Sequence, residues 1–249
     1  MNNISLKKLL FDKKSIYVSD IIGQIYCEKK MEFQYTYGFN RTVNMNIGNE
    51  IHSHLEDFDF GLEELDPNED YTQYEIFEDY SEFPVSAKIN DCFISGKIDL
   101  ILFSNNKPKY IFELKTTSNP NSLKKLYDSE KIQIELYSLL LKKQDYDISD
   151  LQSFVVKTDS SISKAEFLTQ FTDLFLTLDT DIILPENISK NNFKIFEIKT
   201  SHTSLNKLEN YILPNKLEYW FGNRLALPTL DNYKCRRCNY NMECKNNIY

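Results

Sequence analysis

Hydrophobic residues are concentrated in two short segments near the middle of the chain, and these segments predict a β-hairpin. Residues 93–103 and 109–116 are rich in Ile, Leu and Phe. The residues between them, 104–108, read Ser-Asn-Asn-Lys-Pro, which is typical of a turn. Two β-rich segments joined by such a run indicate two strands that pair with each other.

Three charged residues interrupt this apolar pattern: Asp99 in the first predicted strand, and Glu113 and Lys115 in the second. Because side chains alternate between the two faces of a strand, Glu113 and Lys115 point the same way, with Leu114 opposite. If the hairpin pairs near its middle, Asp99 reaches the same patch. Burying such charges without partners is costly, and a divalent metal ion would offset that cost. Hard cations such as Mg²⁺ bind carboxylate oxygens and phosphate-bearing substrates.

The segment after the hairpin predicts a helix over residues 122–143, because apolar residues recur along it at helical spacing. Gln133 and Tyr137 lie four residues apart in it, and therefore on one face. Further helices are predicted over residues 20–37, 48–56, 164–178 and 205–221, the last interrupted by Pro214. Further strands are predicted over residues 83–90, 151–157 and 193–200.

The chain carries an internal control for the Glu-x-Lys pattern. Residues 196–200, Phe-Glu-Ile-Lys-Thr, nearly repeat residues 112–116, Phe-Glu-Leu-Lys-Thr. No Gly-x-x-Asp strand precedes the second copy, and no Gln-x-x-x-Tyr follows it. We interpret the second copy as structural.

Charge is distributed unevenly along the chain. The net charge is −8, but residues 42–87 hold thirteen acids and no Lys or Arg, which leaves 29 basic against 24 acidic residues elsewhere. We interpret this acidic insertion by default as a solvated segment, with a docking face and a mimic of nucleic-acid charge as alternatives. Phosphate backbones need local positive grooves rather than a positive total. Basic clusters occur at Lys29-Lys30, Lys124-Lys125, Lys142-Lys143 and Lys234-Arg236-Arg237.

Length and composition predict one folded domain. The chain has 249 residues, 41% of them hydrophobic, which is enough to bury a core. No run approaches the roughly 18 apolar residues of a membrane span. The N-terminus has no secretory hydrophobic region. We therefore expect an intracellular protein, in the nucleus or cytoplasm, with a mitochondrial location left open, and no membrane partner.

Cysteines are grouped near the C-terminus as Cys235-x2-Cys238-x5-Cys244, with a distant Cys27. Disulfides are disfavoured because no secretory signal is seen. Structural zinc usually uses two paired Cys-x2-Cys knuckles, and only one is found here. Four thiolates suit a [4Fe-4S] cluster. Cys92 is left over, and we interpret it as a strand residue without a ligand role.

The ordered motifs resemble those of the PD-(D/E)xK nuclease superfamily. Gly96-Lys97-Ile98-Asp99 matches Gly-x-x-Asp, and Glu113-Leu114-Lys115 matches Glu-x-Lys. Gln133 and Tyr137 match the Gln-x-x-x-Tyr element of the RecB-like branch. Gly48-x-x-x-His52 resembles the histidine helix of that branch, so the resemblance selects His52 and gives His54 no role.

The branch resembled most is the exonuclease V family of iron–sulfur RecB-like nucleases. Its one-plus-three cysteine arrangement is similar, which implies that Cys27, Cys235, Cys238 and Cys244 hold a [4Fe-4S] cluster. Flanking stretches are also similar: Tyr17-Val18-Ser19-Asp20 with Tyr26-Cys27-Glu28, Glu82-Phe83-Pro84-Val85, and Tyr219-Trp220-Phe221-Gly222-Asn223-Arg224. The resemblance implies a single-strand-specific DNA exonuclease that uses Mg²⁺, or alternatively Mn²⁺, and acts in DNA repair or genome maintenance.

The resemblance also implies roles for the site residues. His52, Asp99 and Glu113, with the Leu114 carbonyl, are expected to bind Mg²⁺. Lys115 is expected to orient the attacking water or stabilise charge on the phosphate. Gln133 and Tyr137 are expected to contact the DNA backbone. For Trp220, core packing is favoured over stacking on DNA bases.

The expected fold class is α/β, a restriction-endonuclease-like core with a central mixed β-sheet flanked by helices, whose N- and C-terminal segments are joined by the cluster. We predict a single domain over residues 1–249, with parts at 15–47, 48–143, 144–225 and 226–249. The expected partner is single-stranded DNA, with a single-strand-binding protein as a further option, and the chain is expected to be a monomer. The alternatives are a CRISPR-associated RecB-like trimming nuclease, a non-catalytic iron–sulfur DNA-binding module of a larger complex, and a zinc-stabilised interaction protein.

Overall fold

The computed structural model describes residues 7–38, 50–52, 77–178, 189–190 and 192–246, which form a mixed β-sheet with helices packed against it. The sheet has seven strands, in the order β1-β3-β4-β5-β7-β6, with β2 paired to β3 outside this path. The strands are β1 (Ile16–Tyr17), β2 (Phe77–Ile89), β3 (Cys92–Ser104), β4 (Lys107–Thr117), β5 (Gln152–Asp159), β6 (Ser189–Lys190) and β7 (Phe193–Glu197).

The helices of the described residues are mostly short. They are α1 (Val18–Tyr37), α2 (Pro120–Leu123), α3 (Asp128–Lys143), α4 (Lys164–Leu178), α5 (His202–Lys207), α6 (Leu213–Trp220), α7 (Asn232–Arg236) and α8 (Asn241–Asn246). A 3-10 turn covers Leu10–Asp12, and residues 50–52 are helical. Within the described part of the chain, no helix is both long and apolar enough to cross a bilayer.

Strand pairing is mixed, as the sequence predicts. The β2–β3 and β3–β4 pairs are antiparallel, whereas β5 runs parallel to β4. A parallel neighbour requires a crossover, and α2 and α3 supply it. The crossover brings α3 against the strands that carry Asp99 and Glu113.

The two faces of the sheet are covered by different helices. On one face, strand residues such as Ile111 and Val155 belong to a core shared with α1, α3 and α6. On the other, Phe112 and Phe154 belong to a core shared with Phe167 of α4. Consecutive strand residues enter opposite cores because their side chains alternate. The sheet is therefore buried on both sides, and charged groups on its inner strands need partners.

The β2–β3 and β3–β4 hairpins are each closed by a two-residue turn in the left-handed backbone region. Asn105 and Asn106 close the β3–β4 hairpin at φ 50° and 61°, which confirms the predicted turn. Asn90 and Asp91 close the β2–β3 hairpin at φ 46° and 65°. Asn and Asp tolerate this conformation better than most residues, and it suits the twist of paired strands.

The strand predicted over residues 83–90 is longer in the structure, and it begins six residues earlier than predicted. Strand β2 starts at Phe77, inside the acidic insertion, because it pairs with β3 as far as Ser104. Residues 57–76 of the insertion lie outside the described residues, as does His54.

The helix predicted over residues 122–143 also differs, since α3 begins only at Asp128. Residues 124–127 are not helical because Lys157, from β5, binds the segment. Its ammonium donates to the carbonyls of Ser122 and Lys125 and forms a 2.7 Å ion pair with Glu130. The remaining predictions are closer: α4 has the predicted bounds, and the interruption near Pro214 takes the form of a π-helical turn, Leu208–Ile212, before α6.

Helix α1 extends to Tyr37 as predicted, but it is interrupted at Cys27. That residue has extended backbone angles, φ −172° and ψ 114°. Trp220 is fully buried, and its indole nitrogen donates to Gln24 of α1 at 2.8 Å. Core packing is therefore its role, and stacking on DNA is excluded for it in this conformation.

Candidate active site

Asp99 lies at the centre of the sheet and is bound to the next strand through its side chain. It is 8% exposed, and its Oδ2 accepts a 2.7 Å hydrogen bond from the backbone N–H of Leu114. The β3–β4 register pairs Leu100 with Phe112, so Asp99 comes level with Glu113. The predicted convergence of Asp99 with β4 is thus observed.

Glu113 is almost completely buried, and its two carboxylate oxygens differ in their hydrogen-bond partners. Oε1 contacts the ammonium of Lys115 at 2.5 Å and accepts a 2.6 Å hydrogen bond from Gln133. Oε2 is buried and has no hydrogen-bond partner among the described residues. Burial, together with the nearby charge of Asp99, raises the pKa of Glu113 to about 7, although Lys115 opposes this.

Helix α3 presents Gln133 and Tyr137 to the same carboxylate region, as their four-residue spacing predicts. The Gln133 amide donates to the Tyr137 hydroxyl at 3.1 Å as well as to Glu113. Burial and the Glu113 charge raise the pKa of Tyr137, so its hydroxyl stays protonated. Gly96 gives the ring its room, because a Cβ there would lie 3.0 Å from Tyr137 and 2.8 Å from Val18.

Lys115 projects from the same face of β4 as Glu113, which confirms the predicted alternation. Burial alone would lower the pKa of Lys115, but the charges of Glu113 and Asp99 raise it, so the ammonium is charged. Lys157 is a buried lysine, level with the partly exposed Lys115 on the parallel strand β5. Its contacts are the carbonyls and Glu130 described above, so it supports the segment before α3 rather than the carboxylates.

His52 reaches the site from the helical residues 50–52. Its Nδ1 lies 3.5 Å from Oδ1 of Asp99. Burial alone would lower the pKa of His52, but the contact with Asp99 and the charge of Glu113 raise it. The predicted juxtaposition of His52 with Asp99 is therefore found.

Glu82 joins this group, although the resemblance gave its flanking stretch, Glu82-Phe83-Pro84-Val85, no role at the metal. A ring nitrogen of His52 and carboxylate oxygens of Glu82 and Asp99 all lie within 4.8 Å of one another. Glu82 is on β2, and counting back from the Asn90-Asp91 turn places it level with Asp99. The sequence alone contains this turn, so the position of Glu82 opposite Asp99 could have been predicted by counting residues on either side of it.

These residues fit a divalent metal ion. The donors are carboxylate oxygens and an imidazole nitrogen, which are ordinary ligands for Mg²⁺ and Mn²⁺. Among the described residues, one buried oxygen of Glu113 has no hydrogen-bond partner, and such a group is destabilising until a cation or proton reaches it. Asp99 and Glu113 are two buried carboxylates beside each other, and a metal ion would offset their repulsion.

The four motif cysteines are brought together although Cys27 is some two hundred positions from the others. Cys27, Cys235, Cys238 and Cys244 line one cavity between α1 and the C-terminal segment, and none forms a disulfide. Burial and the neighbouring thiols raise the pKa of Cys244. Cys92 is buried at the start of β3, away from that cavity, with its thiol directed at the carbonyl of Ile89.

A buried ion network fixes the C-terminal segment next to these cysteines. Glu28 follows Cys27 and is 2% exposed. Its carboxylate accepts two hydrogen bonds from Arg224, at 2.6 and 2.8 Å, one from Lys216 at 3.1 Å and one from the backbone N–H of Leu227 at 2.9 Å. Burial would raise the pKa of Glu28, but these donors hold it below its ordinary value.

The second Phe-Glu-Ile-Lys-Thr copy makes no comparable site. Its glutamate, Glu197, ends β7 and is exposed, and Lys199 lies beyond the strand and is exposed as well. Phe196 packs at the edge of the core. The structural interpretation of this copy is consistent with these positions.

Comparison with known proteins decides the family. The model of the "PD-(D/E)XK nuclease superfamily" matches residues 55–245. The chain belongs to this superfamily. Its central sheet flanked by helices agrees with that core, and a superfamily member is a nuclease. Such nucleases generally use divalent metals, which agrees with the carboxylate and imidazole donors found together here.

Two individual proteins are similar to parts or all of the chain. A CRISPR-associated exonuclease Cas4 from Francisella tularensis subsp. novicida (strain U112) is 29% identical over 133 residues. That match covers 50% of this chain and 64% of the relative, so the chain spans less than two thirds of the relative's length. The crystal structure of SSO0001 is similar in fold, with a TM-score of 0.50, 14% identity and coverage of 95% of this chain and 88% of that one.

Proposed function

We propose that this superfamily member is a Mg²⁺-dependent exonuclease that hydrolyses phosphodiester bonds of single-stranded DNA from free ends, in DNA repair or genome maintenance. The observation that carries the proposal is the convergence of Asp99, Glu113 and Lys115. One buried oxygen of Glu113 has no hydrogen-bond partner in the part of the chain that the structure describes. The similarity to an exonuclease supports action at ends.

The metal ligands in this proposal are His52, Asp99, Glu113 and the carbonyl of Leu114. A divalent ion bound there would make its water more acidic and neutralise charge on the phosphate. Lys115 stays charged beside Glu113, so it can hold a water or a phosphate oxygen in position. Gln133 fixes the orientation of Glu113. Its amide nitrogen donates to both Glu113 and Tyr137, so the predicted contact with a phosphate oxygen of DNA would need one of these hydrogen bonds to be exchanged.

The four thiols are proposed to hold a [4Fe-4S] cluster with a structural role. Among the described residues, no three of them have all their sulfur atoms within 4.8 Å of one another. Four sulfurs bound to one zinc ion at about 2.3 Å would lie about 3.8 Å apart. The proposal of an inorganic cluster rests on the one-plus-three arrangement of the four cysteines and on the single Cys-x2-Cys pair, because structural zinc usually uses two such pairs. A spectrum of anaerobically purified protein tests this, since a broad band near about 400 nm indicates iron–sulfur and zinc is silent.

The nucleic-acid surface is proposed to use the basic residues near the cysteine cavity. Lys30 and Lys234 both lie over the ring of Tyr26, at 4.9 and 4.7 Å, and Arg237 lies over Tyr233 at 4.4 Å. Tyr233 is 57% exposed. Cationic groups beside exposed aromatic rings are what single strands bind. We further propose that the protein acts as a monomer inside the cell. Its partner would be single-stranded DNA, with a single-strand-binding protein as a further partner.

Digestion of end-labelled single strands tests the activity. The wild type is expected to degrade them only with Mg²⁺, and Asp99→Ala is expected to be inactive. Glu197→Ala is the matched control, because it removes the equivalent glutamate of the exposed second copy and should retain full activity. Equal digestion by wild type and Asp99→Ala would refute the proposal. Strands blocked at the 5′ or 3′ terminus would then give the direction.

A second candidate is favoured by one comparison. The 29% identity to a CRISPR-associated exonuclease Cas4 favours the same chemistry in a CRISPR-associated trimming role over an exonuclease V role. The substrates separate the two. Trimming of a short 3′ or 5′ overhang on a duplex would support the former, and processive degradation of long single strands would support the latter.

A further inference from the structure

We infer that a cavity on the α3 side of the sheet binds the phosphate group of a nucleotide, at a site separate from the buried carboxylates. The cavity has a volume of about 240 Å³ and lies between the C-terminal half of α3, the loop before β5 and the segment that leads into α5. None of Asp99, Glu113 and Lys115 lines it. Neither the metal nor the hydrolysis of the proposed function is needed for this binding.

The second copy of the Phe-Glu-Ile-Lys-Thr motif ends at this cavity. Glu197 and Lys199 of the copy are exposed. Its last residue, Thr200, lines the cavity together with Ser201 and His202. The hydroxyl oxygen of Thr200 is buried and has no hydrogen-bond partner among the described residues. Such a group is destabilising until it is paired, so this hydroxyl points to a ligand in the cavity.

The other polar groups of the cavity suit an anion. Lys142, in the last turn of α3, lines the cavity and has no ion pair within the described part of the chain, whereas its neighbour Lys143 is paired with Glu209. Nδ1 of His202 lies 3.1 Å from the amide nitrogen of Asn206, and because that amide donates, the neutral ring carries its proton on Nε2. An ammonium group, an imidazole N–H and hydroxyl groups are donors that phosphate oxygens accept.

The acids closest along the chain do not oppose an anion there. Among the described residues, no carboxylate lines the cavity. In the loop before β5, Asp147 is paired with Lys107 at 2.7 Å. The hydrogen bond to Asp147, with a smaller contribution from the charge of Asp150, raises the pKa of Lys107, so this ammonium balances both acids. An anion in the cavity therefore contacts hydrogen-bond donors and no carboxylate.

The size and apolar part of the cavity favour a nucleotide over a bare ion. A water molecule takes up about 30 Å³ of the liquid, so a phosphate ion would fill only part of the space. Ile148, Leu151 and Leu205 contribute an apolar wall, against which a sugar or base can pack. Water is the competing occupant, because it could also pair with the hydroxyl of Thr200. Water alone does not account for the ammonium and the imidazole that line the same space.

Titration of the full-length protein with thymidine 5′-monophosphate in EDTA tests the inference without metal or activity. Wild type is expected to bind one nucleotide per chain, and inorganic phosphate more weakly. Lys142→Ala should weaken both by about tenfold or more, because a hydrogen bond from a charged group is among the stronger ones. Thr200→Val, which keeps the shape of the side chain, should weaken both by about threefold to tenfold, as expected for a neutral hydrogen bond.

Two variants serve as matched controls. Lys199→Ala removes an equal charge, and Thr203→Val an equal hydroxyl, from exposed positions that do not line the cavity. Both should bind the nucleotide like wild type. Without nucleotide, Thr200→Val should melt no lower than wild type, because it replaces an unpaired buried hydroxyl by a methyl group. A lower melting temperature with unchanged binding would show that this hydroxyl is structural and would refute the inference.

The remaining outcomes identify the occupant. No saturable binding by wild type leaves water in the cavity and refutes the inference, as does equal binding by wild type, Lys142→Ala and Thr200→Val. Loss of binding in Lys115→Ala but not in Lys142→Ala would place the nucleotide at the carboxylates instead. None of these results changes the expected Mg²⁺-dependent digestion, so the proposed function stands or fails separately.

Competition distinguishes the two sources of the phosphate group. Displacement of the nucleotide by a 5′-phosphorylated single strand, but not by the same strand without that phosphate, would identify a strand end as the ligand. Displacement by both strands would identify internal phosphates of the strand. Displacement by neither would identify a free nucleotide, such as a product of digestion.

Discussion

The amide of Gln133 donates a 2.6 Å hydrogen bond to Oε1 of Glu113, and the other oxygen of that carboxylate has no partner in the described structure. The helix after the hairpin is thus attached to the metal-facing carboxylate directly. Gln133 is a positioning residue by this contact, because it acts through Glu113.

Replacing Gln133 by Leu should weaken both stability and metal binding. Removing the hydrogen-bond donor of a buried carboxylate lowers the stability of the fold by about 1–3 kcal/mol. We expect the free energy of unfolding to fall by about that much without metal, and Mg²⁺ affinity to fall with it. A double-mutant cycle with Glu113→Gln in chemical unfolding measures the coupling. Additive effects of the two substitutions would contradict a direct role of the contact.

The pH dependence of stability should reveal the buried carboxylate. Because burial and the Asp99 charge raise the pKa of Glu113 from 4.5 to about 7, the folded chain holds a proton that the unfolded chain has released. Without metal, the contribution of Glu113 to stability should therefore decline as pH rises from about 4.5 to about 7, and stay low above.

Thermal unfolding in EDTA between pH 5 and pH 8 measures this decline. Glu113→Gln should show a flatter profile, and added Mg²⁺ should stabilise wild type more at pH 8 than at pH 6, since protons compete with the metal. Parallel profiles for wild type and Glu113→Gln would show that the buried carboxylate is not the source.

Removing Arg224 should loosen the C-terminal segment. Arg224→Ala leaves Glu28 buried with only Lys216 and one backbone N–H. Breaking a buried pair costs about 3–5 kcal/mol, and the lower end applies because Arg224 is 22% exposed. We expect a lower melting temperature and less bound iron per chain. Arg236→Ala is the control, and an equal loss of iron in both would contradict a specific role for the Glu28 network.

Gly96 should not tolerate a methyl group. In Gly96→Ala the new carbon would meet Val18 at 2.8 Å and Tyr137 at 3.0 Å, so side chains at the site must move. Overpacking of this kind costs about 1–3 kcal/mol. Activity should drop with stability as Tyr137 shifts. Gly23→Ala is the matched control, because its carbon would have 3.9 Å of clearance inside α1 and should stabilise by about 0.5–1 kcal/mol.

The hairpin and the direction of Glu113 and Lys115 were predictable because they depend on local rules. The alternation of side chains along a strand depends only on consecutive residues, and so does a turn-forming run. The same is true of α4, whose apolar stripe fixed both its ends. The juxtaposition of Gln133 and Tyr137 follows from helical spacing alone.

Other features depend on partners far away in the chain. Helix α3 starts late because Lys157, some thirty residues onward, binds the preceding carbonyls. The interruption at Cys27 has no Gly or Pro to signal it, and it lies where the C-terminal cysteines approach. The proximity of Glu82 to Asp99 was missed for another reason: its flanking stretch was matched along the chain, whereas the relation to Asp99 runs between adjacent strands.

At the interruption of α1, two neighbouring residues, Cys27 and Glu28, attach the C-terminal segment in different ways. Cys27 faces the cavity of the other thiols, and the next residue, Glu28, binds Arg224 and Leu227. If the four thiols hold the proposed cluster, its oxidative loss would release the attachment at Cys27 and leave the one at Glu28 in place. A new cluster could then be inserted at the four cysteines while the C-terminal segment remains attached through Glu28, without complete refolding of the chain.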